Sequence, residues 1–200
     1  EIARKFDADI DMHVDETDDP NARTLEMLAD QTMDNGYEGR VTAGHTCALA
    51  AYPDEYARAV IEKARQARLN MITNPATNLM LQGRLDSQPK RRGITRVGEL
   101  LAAGLNVSFG QDCICDTFYP FGRDDPLEVA LITAHAAHLS QPAEIEQLFA
   151  MSTANAAQVL RLTDYGLEPG KAADVVILDT EDAAEAIRLQ VPRRWVIKRG

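Results

Sequence analysis

The chain has 200 residues, 31 acidic against 21 basic side chains, and a formal net charge of −10. Hydrophobic residues make up 45% and charged residues 26%, which excludes a disordered chain, and the acid excess argues against nucleic acid or an anionic membrane as the main partner. No apolar run approaches the roughly 18 residues of a membrane-spanning helix, and three cysteines cannot all pair within the chain, which points to a reducing cytoplasm rather than a disulfide framework.

The chain opens on Glu1 without an initiator Met, so its first residues say little about targeting. Short apolar strands then alternate with helical stretches. Ala8 to Val14 alternates polar and apolar residues, as a strand does. Asp19-Pro20 predicts a helix start, with Leu25, Leu28, Ala29 and Thr32 at helical spacing and Gly36 as the stop. Arg40–His45 reads as a second strand. Pro53–Arg68 follows as a helix with Tyr56, Val60, Ile61 and Ala64 on one face, and Leu69–Thr73 as a third strand. Ala76 to about Gly93 has no apolar period and reads as a long loop, a feature that is usually functional or disordered. Thr95–Ala103 predicts a short helix and Leu105–Gly110 a fourth strand. Helices are expected over Pro126–Leu139, Pro142–Met151 and about Thr153–Leu160. Ala173–Leu178 and Arg194–Ile197 read as strands that lack βα spacing. Four strand–helix units in a row imply a parallel sheet covered by helices, either a doubly wound open sheet or part of a (β/α)8 barrel.

Ionisable residues gather at the predicted strand C-termini, where parallel α/β folds build their sites. His13 and Glu16 follow the first strand, His45 ends the second, Asn74-Pro75 ends the third and Asp112 follows the fourth. Histidine and aspartate are good ligands for divalent zinc or iron, and a glutamate beside such an ion suits a proton shuttle. A single strand-end histidine is more often structural, but three polar strand ends together favour a site. Cys113-x-Cys115 is too tight for the usual zinc spacing. His135 and His138 sit at i, i+3 among alanines and leucines and read as non-catalytic. Arg84, Lys90, Arg91 and Arg92 form a basic run, simplest as a solvated loop, with a substrate cover or a subunit contact as the alternatives.

Specific segments carry a family likeness: Met12-His13-Val14-Asp15-Glu16-Thr17, Arg40-Val41-Thr42-Ala43-Gly44-His45-Thr46, Leu81-Gln82-Gly83-Arg84-Leu85-Asp86, Pro89 to Val97, Phe109-Gly110-Gln111-Asp112 and Tyr119-Pro120-Phe121-Gly122. With the more generic Tyr165 to Asp174 segment, the chain resembles the C-terminal half of the bacterial cytosine deaminase family, in the amidohydrolase superfamily. The resemblance extends over essentially the whole chain.

That resemblance implies strands five to eight of a (β/α)8 TIM-type barrel over residues 1–162, with residues 163–200 forming part of a small β-sandwich. It implies one divalent metal ion, zinc or iron, with His13 and Asp112 as ligands. Glu16 would shuttle protons between the attacking water and the pyrimidine. His45 would position and polarise that water, and Asp112 would act as its base. Glu16 would also touch substrate, as would Cys113 and Phe118. The implied reaction is hydrolytic deamination of cytosine or a cytosine-like base with release of ammonia; the alternatives are another cyclic amidine, such as a pterin or creatinine-like ring, and a non-catalytic half-barrel that needs a partner chain. Cys113 stands where the family usually has a second aspartate, Gln111 where it often has histidine, and Phe118 where it has tryptophan. The smaller neutral Cys113 favours 5-methylcytosine, isocytosine or a related ring. The H-x-H metal motif of the family's first strand has no counterpart in these 200 residues. This chain alone is therefore expected to be inactive, its partners being the N-terminal half of the barrel, a nucleobase and further copies in a homo-oligomer.

Overall fold

A computed structural model describes residues Glu1–Gly200. Its centre is a four-stranded sheet of β1 (Ile10–Val14), β2 (Val41–His45), β3 (Asn70–Thr73) and β4 (Asn106–Phe109), in that spatial order. All neighbours are parallel: Val14 lies opposite His45, Gly44 opposite Ile72, and Thr73 opposite Phe109. The parallel order follows from the connections, each of which carries at least one helix back across the sheet. Between the strands lie α2 (Thr24–Asp34), α3 (Asp54–Gln66), α4 (Pro75–Leu81) and α5 (Val97–Ala102), preceded by a short α1 (Ile2–Lys5). After β4 come α6 (Pro126–Ala137), α7 (Pro142–Ser152) and α8 (Ala154–Val159). No helix is long and apolar enough to cross a membrane.

One hydrophobic core joins the layers. Val14, Val41, Ala43, Met71 and Val107 project from the sheet onto Leu25, Val60, Leu100 and Leu148 of the helices. The side chains of β2 are all buried, as expected of a strand covered on both faces, whereas Asp11, Met12 and His13 of β1 are exposed at the sheet edge.

The C-terminal segment is an antiparallel ribbon of β5 (Val175–Leu178) and β6 (Arg193–Ile197). The predicted strands are there, but α9 (Ala183–Leu189) lies between them, capped by Asp182, whose carboxylate accepts from Glu185 N at 2.8 Å. The helix anchors the ribbon: Ala186, Ile187 and Val191 join the main core, and Arg193 pairs with Asp125.

Two boundaries differ from the sequence reading for local chemical reasons. The helix expected at Asp19-Pro20 begins at Thr24. The Asp19 carboxylate is taken by Asn21 N at 2.9 Å in a tight turn, and the first α2 amides, Thr24 N and Leu25 N, donate instead to the Asp15 carboxylate at 2.9 Å each. Asp15→Ala is expected to lower stability by about 1 kcal/mol, read as a lower urea midpoint at unchanged slope. The stretch read as a loop from Ala76 opens instead as α4, with Pro75 at its first position and Ala76, Thr77 and Asn78 buried.

Candidate active site

The strand C-termini turn sharply, and the turns after β1 and β2 bring His13, Glu16 and His45 together. Asp15 after β1 (φ 47°), His45 and Thr46 at the end of β2 (φ 69° and 48°) and Asp112 after β4 (φ 62°) all adopt the left-handed conformation. Such a conformation in a β-branched residue like Thr46 costs of order 1–3 kcal/mol and persists only where the surroundings fix it. Here Thr46 N donates to Val14 O at 2.9 Å and Thr46 Oγ1 to Thr95 Oγ1 at 2.9 Å.

His13, Glu16 and His45 converge. One ligand atom from each lies within 4.8 Å of the other two. His13 Nδ1 is 3.2 Å from Glu16 Oε2, His45 Nδ1 is 3.4 Å from Glu16 Oε1, and the imidazole centroids are 4.4 Å apart, tilted by 47°. The two histidines differ in surroundings. His13 is 72% exposed in its side chain, whereas His45 is 1% exposed.

The floor of the cluster is α4, whose residues the sequence reading left in a loop. Asn74 Nδ2 lies 3.2 Å from His45 Nε2. Asn78 Nδ2 lies 3.0 Å from His45 Nδ1 and donates to Glu16 Oε1 at 3.4 Å. Gln82 Nε2 donates to Glu16 O at 3.2 Å. Asn74, Asn78 and Gln82 recur at i, i+4 and i+8, one helical face made of amides rather than aliphatics. That spacing behind Asn74-Pro75 was the available signal. Gly110 after β4 makes room for this face: a Cβ there would sit 2.7 Å from Asn74 Oδ1.

Asp112 and Cys113 lie on the neighbouring rim. Asp112 is exposed and stands outside the three-residue cluster. Cys113 is half-buried, and its N–H donates to Thr77 Oγ1 of α4 at 3.3 Å. Burial, with the carboxylates of Asp112 and Asp116 nearby, pushes its thiol up, so it stays neutral around pH 7. The loop folds back on itself: Asp116 Oδ1 accepts from Phe118 N at 2.8 Å and Tyr119 N at 3.0 Å, which holds its carboxyl below the ordinary range. Phe118 is exposed on this loop.

The remaining candidates make local contacts away from the cluster. His135 Nδ1 donates to Leu131 O at 2.8 Å within α6, and His138 ends that helix in the left-handed conformation. In the basic run, Lys90 donates to Arg84 O and Arg92 to the α6 carbonyls of His135 and Ala136. Arg91 pairs with Asp86 at 2.8 Å and donates to Asp18 O at 2.6 Å, so it braces the segment that carries Glu16. A cleft of about 450 Å³ lies between Asp18, Ala51, Arg92, Arg96 and Ala137. It touches none of His13, Glu16 and His45, and Arg96 is already spent on Leu49 O, Tyr52 O and Asp54. The strand-end cluster is therefore the stronger site.

Residues 1–200 match the amidohydrolase family over their whole length. This chain belongs to the amidohydrolase family. It is 34% identical over 194 residues to a pterin deaminase of Rhizobium rhizogenes, an alignment covering 96% of this chain and 44% of that protein. It is 31% identical over 200 residues to the N-isopropylammelide isopropyl amidohydrolase of Pseudomonas sp. strain ADP, covering all of this chain and 46% of that one. The crystal structure of 5-methylcytosine deaminase from Klebsiella pneumoniae liganded with 5-fluorocytosine superposes with a TM-score of 0.96 at 39% identity, covering 100% of this chain and 48% of that one. The chain thus spans about half the length of the curated relatives it matches. In this amidohydrolase chain the His13 and His45 imidazoles are ligand types suited to a borderline divalent ion such as zinc or iron, and the Glu16 carboxylate lies within 4.8 Å of both.

Proposed function

We propose that the full-length protein is a metal-dependent hydrolytic deaminase of cytosine-like pyrimidines, and that this chain supplies strands five to eight of its barrel. The convergence of His13, Glu16 and His45 at parallel strand ends carries the reading. The likeness to 5-methylcytosine deaminase supports the substrate class. The ribbon of β5 and β6 exposes Val176, Trp195 and Val196, and two strands alone are marginal in water. That supports residues 163–200 as part of a small β domain whose other strands lie elsewhere.

A divalent zinc or iron ion would be held by His13, with Asp112 as the second ligand that the family likeness implies and His45 close by, and when bound it would supply Lewis-acid activation of water. The chain's own residues do the rest. Deamination adds water to the ring carbon that bears the amino group, breaks its C–N bond and leaves a carbonyl and ammonia. Both water protons must leave the oxygen, one for the neighbouring ring nitrogen and one for the departing nitrogen. Glu16 is the group placed to hand them to the ring and to the departing nitrogen, with one carboxylate oxygen beside His13 and the other beside His45. Asp112, on the rim after β4, takes the water's first proton. His45 fixes the water's side of the carboxylate. Cys113 walls the ring, with Phe118 as the apolar rim.

Ammonia release by the full-length protein on cytosine, 5-methylcytosine, isocytosine and a pterin tests the reading. Turnover of the pyrimidines supports it, and silence on all of them with metal present removes it. A pterin ring is the second reading, favoured by the 34% identity to a pterin deaminase; pterin turnover without pyrimidine turnover would select it.

Cys113 gives a sharper expectation. A carboxylate facing a methyl-bearing ring edge is costly to desolvate, whereas a thiol behaves as a small hydrophobe. Recognition of one methyl is worth about 1–3 kcal/mol, or roughly 10–200-fold. Cys113→Asp is expected to shift the ratio of kcat/KM values toward cytosine over 5-methylcytosine by about that factor. An unchanged ratio in a folded variant would take Cys113 out of the pocket.

A further inference from the structure

Resting on the proposed deaminase reading, we infer that Thr46 and Thr95 are positioning residues, whose paired hydroxyls form a latch that places His45 and Glu16 for the reaction. His45 and Thr46 are consecutive residues in the left-handed conformation, at φ 69° and 48°. Glycine or asparagine takes that conformation readily, whereas a β-branched side chain is strained in it. A threonine there calls for a use of its hydroxyl. Thr46 is 1% exposed, and its Oγ1 stands 2.9 Å from Oγ1 of Thr95, which is itself buried just ahead of α5.

The latch reaches two of the three cluster residues through the backbone. Thr46 follows His45 directly, so fixing Thr46 fixes the chain as it leaves the buried ring. Thr46 N also donates to Val14 O at 2.9 Å, and Ala48 N donates to Asp15 O at 3.1 Å. Val14 and Asp15 are the residues between His13 and Glu16. The turn after β2 is thus tied to the turn after β1, and Thr95 holds both from a third element, 49 residues along the chain from Thr46. Arg96 extends the grip. Its Nε donates to Leu49 O at 3.0 Å and its Nη2 to Tyr52 O at 2.7 Å, within and just beyond the short 3-10 helix Cys47–Ala51.

No hydrogen bond joins either threonine hydroxyl to Glu16 or to the His45 ring, so the latch acts by placing backbone rather than by touching the reacting groups. Glu16 and His45 come from two separate strand-end turns, and they meet only while those turns keep their register. Strained backbone of this kind persists where the surroundings over-determine it, and it gathers at active sites. A misplacement of about 1 Å there can cost on the order of 10²-fold in rate.

The test uses the full-length protein. Thr95→Val keeps the volume and removes the hydroxyl, whereas Thr95→Ser keeps the hydroxyl and gives up a buried methyl. Thr95→Val is expected to lower kcat by about 10–100-fold with KM nearly unchanged, and Thr95→Ser to stay within about twofold of the wild type. If Thr95 only packs the interior, that order reverses, and the reversal would overturn the inference. Thr46→Gly takes the left-handed backbone without strain but lacks the hydroxyl. It is expected to lose rate as Thr95→Val does; a wild-type kcat would mean that the conformation alone suffices and would sink the latch. A second readout needs no turnover. Hydrogen exchange at the Thr46, Ala48 and Leu49 amides is expected to run about 2–10-fold faster in Thr95→Val than in the wild type, with β4 unchanged. Equal exchange at those three amides in the two proteins would rule the latch out, and Thr46→Gly carries the measurement if Thr95→Val does not fold. If the wild type deaminates no base, the deaminase reading fails, while the exchange rates still judge the latch.

Discussion

Replacing Glu16 by Gln in the full-length protein is expected to lower kcat by about 10²–10⁴-fold while metal content stays at the wild-type level. The amide keeps the shape of the carboxylate and one acceptor, but it cannot pick up and release a proton near neutral pH. The competing view makes Glu16 a favourable charge near the start of a helix, worth about 0.3–1 kcal/mol of stability and nothing in catalysis. The structure weakens that view, because α2 begins at Thr24 and its first amides are taken by Asp15. Glu16 instead faces His13, His45 and Asn78. Steady-state kinetics with metal analysis on the same samples checks the expectation. A near wild-type rate in Glu16→Gln would end the proton-shuttle assignment, whatever the metal content.

How much of this was legible in the sequence depended on which side chains faced the core. All four parallel strands stand within one or two residues of their predicted ends, because Val14, Val41, Met71 and Val107 point into one apolar core. Helix α3 was legible for the same reason, through Val60, Ile61 and Ala64. Helix α4 was not, because its buried face carries Thr77 and Asn78 and serves the site rather than the core. An apolar period cannot mark a helix whose inner face is polar. Asp15 was read only as part of a motif, and its capping of α2 from nine residues away leaves no local pattern. The site followed the same division. His13, Glu16 and His45 were found from their strand-end positions, whereas Asn78, which touches two of them, was hidden in the supposed loop.

Replacing His13 by Ala is expected to strip the metal and, with it, the activity, without unfolding the protein. His13 suits this test better than His45 because its side chain is 72% exposed, so its removal opens no buried cavity. The bland account of His13 is an exposed partner for Glu16 at 3.2 Å. Exposed pairs of that kind are worth about 0–1 kcal/mol, so this account expects neither metal loss nor a large rate change. The ligand account expects much more. Loss of a group that merely supports a ligand weakens metal binding by about 10–100-fold, and loss of the ligand itself should exceed that. The two accounts separate on metal per chain after exhaustive dialysis, measured beside His135→Ala. His135 is also exposed but bonds only Leu131 O within α6, so its removal should leave metal untouched. Full metal occupancy in His13→Ala would make Glu16 and His45 a polar pair at a strand end rather than one side of a metal centre. The contrast with Glu16→Gln then carries the mechanism: one variant should lose the ion and the rate together, and the other should lose the rate alone.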